Sequence, residues 1–152
     1  MDKLARVKLF DGVDYSVLDD ISLFSQLRYY EPGDIIISEN DTSGYDLYLL
    51  LSGEVEIISN KSALTSQETV LSRDQKELFG EISWLLNQKR SATVRSVSES
   101  EMVVIDGDQF RTYMERHPQV GYIVMHHIAQ LVATRLHETD NLLKQILWNS
   151  NI

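Results

Sequence analysis

Apolar residues recur at Val13, Val17, Leu18, Ile21 and Phe24, the three-and-four spacing that lays one face of a helix against a core. The spacing predicts an amphipathic helix over residues 13–25. From Leu27 to Ile105 the period shortens. Apolar and β-branched runs at Ile35 to Ile37, Asp46 to Leu51, Glu54 to Ser59, Thr69 to Leu71, Ala92 to Val97 and Met102 to Ile105 alternate with polar turns. Many short strands with such turns predict a sandwich or barrel. After Ile105 the period lengthens again. Asp106-Gly107-Asp108 can cap a helix that carries Phe110, Tyr113 and Met114. That helix stops near His117, because Pro118 pushes the residue before it out of helical geometry. Pro118 suits the first turn of a second, long helix, which runs to about Leu147 with Gly121 as its single Gly. The helical region thus spans 107–147.

The long helix carries Val120, Ile123, Val124, Ile128, Leu131, Val132, Leu136, Leu142, Leu143, Ile146 and Leu147, too many for one narrow stripe. A helix apolar on two sides needs two partners, here its own barrel and a second helix. Met125, Ile128, Val132, Leu142 and Ile146 fit a heptad seam interrupted by Arg135 and Thr139. The expectation is a homodimer formed through this helix.

Composition narrows the class. A chain of 152 residues with 43% hydrophobic content is one domain, 1–152, with enough apolar material for a core. Met1 to Arg6 holds no apolar signal segment and no membrane span is evident. Zero cysteines exclude a disulfide framework, a thiolate metal site and a thiol nucleophile. A cytoplasmic setting fits. The 14 Lys and Arg stand against 23 Asp and Glu, and a net charge of −9 argues against nucleic-acid binding by this chain. Asn60 to Gln67 is polar and reads as a loose hairpin loop.

The segment Leu78-Phe79-Gly80-Glu81-Ile82, followed nine residues after Glu81 by Arg90-Ser91-Ala92-Thr93-Val94, carries the candidate chemistry. Gly80 lets backbone approach a ligand or take positive φ. Glu81 can accept from paired hydroxyls such as those of a ribose. Arg90 offers a planar, permanently charged fork of donors suited to phosphate. Ser91 adds a hydroxyl and a backbone N–H to an anion-binding turn. Ile82 to Leu86 reads as a short apolar helical turn that buries itself and holds this cassette, residues 79–93, in shape. A surface ion pair flanking a buried turn is the plain alternative.

Glu31-Pro32-Gly33-Asp34, the polar turn Glu39 to Gly44 and the run Asp46 to Ile57, taken with the cassette, resemble the cyclic-nucleotide-binding domain family over about Leu18 to Leu143. The resemblance implies an α+β, mainly β fold: a jelly-roll β-barrel of about eight short strands over 27–105, with an N-terminal helix and a long C-terminal helix. It implies that Gly80 and Glu81 meet the ribose 2′-hydroxyl while Arg90 and Ser91 neutralise a cyclic phosphate, with Ile82 and Ala92 beside them. Thr139 and Asp140 stand where some members place groups that touch the base. Gly33 and Gly53 match structural turn glycines. Asn40 replaces a usual Gly and tolerates left-handed backbone; Lys76 replaces another. Relatives that bind DNA begin a helix-turn-helix module about where this chain ends.

His117, His126, His127 and His137 lack chelating spacing, so no metal and no cofactor is expected. No nucleophile with a base is visible, and catalysis is not expected. The function expected is a regulatory domain that binds cyclic AMP or cyclic GMP and relays its bound state through the C-terminal helix to an output protein the sequence does not identify. The competing expectation is a ligand-free β-roll that serves as a protein interaction scaffold.

Overall fold

The computed structural model describes residues 2–59, 69–74 and 77–150. The expected Asn60 to Gln67 loop and the Lys76 position lie outside these. The chain begins with α1 (Asp2–Ala5), a 3₁₀ turn (Lys8–Phe10) and α2 (Tyr15–Ser22). The strands are β1 (Ser25–Tyr30), β2 (Ile35–Ile37), β3 (Leu47–Ser52), β4 (Val55–Ser59), β5 (Thr69–Asp74), β6 (Leu78–Phe79), β7 (Thr93–Ser96) and β8 (Ser100–Ile105). Helix α3 (Glu81–Leu86) lies between β6 and β7, and α4 (Gly107–Arg116) and α5 (Pro118–Ser150) close the chain.

Among the described residues the eight strands form two four-stranded sheets, ordered β1-β8-β3-β6 and β2-β7-β4-β5. Every pairing is antiparallel. The strand number matches the jelly-roll expectation, but the roll is two packed sheets with open edges rather than a closed barrel.

The alternation of β3 shows why its sequence is apolar without a break. Leu47 and Leu49 face a cluster with Phe10, Leu18, Ile21, Phe110 and Ile128 from the helical layer. Tyr48 and Leu50 point the other way, to Val55, Val94 and Ile36 of the second sheet. A strand covered on both faces loses the polar half of its alternation. The first sheet is therefore the middle layer, with helices on one side and the second sheet on the other.

Both ends of the first expected helix differ from the sequence expectation. The first long helix is Tyr15–Ser22 rather than 13–25, with Leu23 solvent-exposed just beyond it. Ser25 already opens β1, a largely exposed edge strand whose residues carry little apolar alternation. Phe24 still packs inward, 6.4 Å from Phe110 between ring centroids. At the other end Asp106 caps α4 as expected, accepting from the Gln109 N–H at 3.0 Å, and His117 breaks the helix before Pro118.

In α5, Val124 and Ile128 are fully buried against the Leu9 and Phe10 segment. The expected seam is corrected here: Ile128 belongs to the domain core and cannot face a partner. The exposed stripe instead runs through Tyr122, Met125, Ala129, Val132, Leu136, Thr139, Leu143 and Ile146, an unbroken alternation of three and four.

Candidate functional site

Gly80 caps α3 from the left-handed region, at φ 87°. A Cβ there would lie 2.7 Å from Arg90 Nη1 and 2.8 Å from the Asp46 carbonyl oxygen, so only glycine lets the cassette turn this close to β3. The turn delivers Glu81 into the first turn of α3 with its side chain buried. The helix does not bury itself: Ile82, Leu85 and Leu86 are exposed, while Ser83 and Trp84 are buried. Trp84 is the anchor. Its Nε1 donates to the Gly107 carbonyl at 2.9 Å, and its ring stacks on Phe110 at 5.8 Å.

Asn87 ends α3, also left-handed, and the chain returns to Arg90. The Arg90 N–H donates to the Asp41 carbonyl at 3.0 Å, and the Arg90 carbonyl accepts from the Asn40 N–H at 2.9 Å. Asn40 holds this register at φ 68°, because Asn tolerates that region. The Arg90 guanidinium is buried, with 5% exposure. It donates from Nη1 to the Gly80 carbonyl at 3.0 Å and from Nη2 to the Asp46 carbonyl at 2.9 Å. Among the described residues both bonds go to neutral carbonyls, leaving three of the five N–H donors of a guanidinium.

Arg90 and Glu81 line one cavity of about 110 Å³. Ile37, Ile57 and Val94 form an apolar wall from the second sheet, and Phe79, Gly80, Ile82 and Ser83 the cassette side. Ser91 and Ala92 complete the rim beside Arg90. Six of the eight residues expected at a ligand thus come together: Gly80, Glu81, Ile82, Arg90, Ser91 and Ala92. Thr139 and Asp140 do not line the cavity; both are exposed on α5, and Thr139 Oγ1 donates to the Arg135 carbonyl at 2.9 Å.

Arg135 is the residue that sequence reading missed. It reaches from α5 into the same cavity, where it forms an ion pair with Glu81 and donates to the Leu78 carbonyl. Its guanidinium sits 5.8 Å from the Phe79 ring centroid. The available signal was a cation interrupting an apolar helix face, which reads as a defect in a seam and is a contact to the roll instead.

Two groups near Arg90 depart from their ordinary titration. Asp41 has its carboxyl held below the ordinary value, first by the Ser43 N–H and hydroxyl and in smaller part by the Arg90 charge. Burial pushes the Tyr48 phenol up, keeping it neutral beside Arg90. No group of three metal-ligating side chains exists among the described residues.

A family model described as the cyclic nucleotide-binding domain matches residues 27–117, from within β1 through α4. The chain belongs to the cyclic-nucleotide-binding domain family. It is 33% identical over 133 residues to the Cyclic AMP receptor protein of Thermus thermophilus, covering 87% of this chain and 58% of the receptor. The crystal structure of the Catabolite Activator Protein from Thermus thermophilus superimposes with a TM-score of 0.71 at 32% identity, covering 91% of this chain and 62% of that one. The regulatory domain of Toxoplasma gondii PKA, solved with cAMP, gives a TM-score of 0.61 at 29% identity, covering 73% of this chain and 41% of that one. The chain thus spans less than two thirds of the length of these proteins. No helix of the described residues is long and apolar enough to cross a membrane.

Proposed function

We propose that the chain is a cytoplasmic, homodimeric cyclic-nucleotide sensor that binds its ligand in the cavity between Glu81 and Arg90 and passes the bound state to an output protein through α5. The observation that carries the reading is buried Arg90, whose guanidinium hydrogen-bonds go to carbonyls and which lines a cavity. A buried cation that hydrogen-bonds to no carboxylate among the described residues is costly, and an anion in that cavity relieves the cost.

Charge supports a cyclic phosphodiester in particular. Two guanidinium groups and one carboxylate line the cavity, leaving a single positive charge against the single negative charge of a cyclic monophosphate. A terminal monophosphate ester carries about −1.5 to −2 at neutral pH and overfills the site. Glu81 keeps a second carboxylate oxygen for a ribose hydroxyl beside its pair with Arg135. The enclosed volume is below the roughly 300–1,000 Å³ of a full ligand pocket, so the ribose and phosphate occupy it while the base lies at the mouth, toward the Thr139 and Asp140 turn of α5. Ser91 stands where the family resemblance links a Thr with cyclic GMP binding, which favours cyclic AMP, as do the cyclic AMP named for the Thermus receptor and the cAMP in the Toxoplasma structure. The exposed three-and-four stripe of α5 supports the dimer, since that period presents apolar residues to a second helix.

One observation favours the scaffold reading: Glu81 already holds an ionic partner in Arg135. Thermal unfolding separates the two. Protein freed of carried ligand by unfolding and refolding should rise in melting temperature with cyclic AMP, less with cyclic GMP, and not with 5′-AMP. An unchanged melting temperature with both cyclic nucleotides would overturn the sensor reading in favour of the scaffold.

A further inference from the structure

Arg90 is tied to more than the cavity. Its Nη2 donates to the Asp46 carbonyl at 2.9 Å, and the carboxylate of the same Asp46 accepts from the Gly107 N–H at 3.2 Å. One residue at the entrance of β3 therefore holds the guanidinium with its backbone and the first turn of α4 with its side chain. A carboxylate at a helix N-terminus satisfies an N–H that has no partner within the helix and opposes the helix dipole.

The packing around this link leaves no slack. A Cβ on Gly107 would lie 2.2 Å from the Tyr45 carbonyl oxygen and 2.8 Å from Trp84 Cδ1. A Cβ on Gly80 would meet both Arg90 and the Asp46 carbonyl. Trp84 of α3 returns the connection by donating to the Gly107 carbonyl, and Arg111 of α4 donates to the Trp84 carbonyl and lies 5.1 Å from its ring. Cassette, β3 entrance and α4 are in contact at glycines that admit no side chain, so displacement of one must be taken up by the others.

We propose that Asp46 is a positioning residue through which occupancy of the Arg90 cavity sets the seat of α4, and with it the α5 that follows after His117. The occupancy part rests on the cyclic-nucleotide reading. An anion drawing on the remaining Arg90 donors pulls on the guanidinium that the Asp46 carbonyl holds. Any shift of that carbonyl moves the carboxylate that caps Gly107. A helix cap alone would stabilise α4 with no dependence on Arg90, and that difference is measurable.

The experiment is amide hydrogen exchange at Gly107 to Phe110 in the parent chain, Arg90→Gln, Asp46→Ala, Asp46→Asn and the two double variants with Arg90→Gln. Arg90→Gln should speed exchange at Gly107 several-fold when Asp46 is present and have no further effect in Asp46→Ala. Asp46→Asn keeps an acceptor oxygen and should restore the sensitivity to Arg90. Equal effects of Arg90→Gln in the parent and in the Asp46→Ala background, or none in either, would overturn the link. In the ligand arm, cyclic AMP should change Trp84 emission in Trp148→Phe protein, with the response lost in Asp46→Ala and kept in Asp46→Asn. A response that persists in Asp46→Ala overturns the proposal. Absence of cyclic-nucleotide binding in the parent overturns the ligand assignment and the occupancy part with it, while the exchange comparison decides the Arg90 to Gly107 link by itself.

Discussion

Arg135 of α5 forms an ion pair with Glu81 of α3, so the long helix is fastened to the cassette by a charge that lines the ligand cavity. The carboxylate is almost fully buried and the guanidinium about four-fifths covered, at side-chain exposures of 6% and 22%. Removing the cation leaves a buried carboxylate with one partner fewer, a change worth about 1–3 kcal/mol. Arg135→Ala should lower urea stability by about that amount. Glu81→Gln should lose much less in the Arg135→Ala background than in the parent, and additive losses in this double-mutant cycle would show that the pair contributes nothing.

Glu77 gives a pH-dependent stability of predictable sign. Burial pushes its carboxyl above the ordinary 4.5, against the pull of the Lys8 N–H, which it accepts at 2.6 Å. A carboxyl raised in the folded state favours its protonated form. Its cost to folding is absent below 4.5 and grows as pH rises through the folded value. Glu77→Gln keeps an oxygen for Lys8 and carries no charge. It should be more stable than the parent at neutral pH, with the gain vanishing in acid. A gain independent of pH would contradict the assignment to burial of the charge.

The exposed stripe of α5, proposed as the dimer seam, separates two neighbours that the heptad pattern alone confuses. Ile128 is 1% exposed and Val132 37%. Val132→Glu should convert a dimer to monomers in sedimentation while leaving the monomer's melting temperature close to that of the parent chain. Ile128→Ala should destabilise the domain by about 2–5 kcal/mol and leave the association of folded chains intact. Monomers from Ile128→Ala and dimers from Val132→Glu would return the seam to the other face.

The main strand runs, the Asp106 cap and the candidate chemistry of Gly80, Glu81, Arg90 and Ser91 were legible in the sequence because each rests on local chemistry, while Ile82 and Ala92 came only with the family resemblance. Gly80 needs positive φ, Asp106 caps within its own turn, and the apolar runs of β3, β4 and β8 exceed any surface pattern. The missed features are tertiary. Strand β1 reads poorly because an exposed edge needs no apolar alternation, and β6 is two residues long. The exposure of Leu85 and Leu86 depends on Trp84 finding Phe110, 26 residues further on. Ile128 and Ala129 are equally consistent with a seam until the docking of α5 on Leu9 and Phe10 fixes its rotation. Arg135 becomes a site residue only when that docking brings it over Glu81, a relation across 54 positions that no local spacing encodes.

The central claim, an anion seat built on Arg90, is tested most directly by calorimetric titration of the parent and of Arg90→Lys with cyclic AMP. Lys keeps the charge but not the planar fork, so it spares the burial problem of Arg90→Ala, which strips donors from the Gly80 and Asp46 carbonyls. The account predicts saturable binding by the parent at one site per chain, weakened about ten- to hundredfold in folded Arg90→Lys by loss of charge-assisted bonds worth about 1.5–3 kcal/mol. Equal affinity of the two proteins would contradict it.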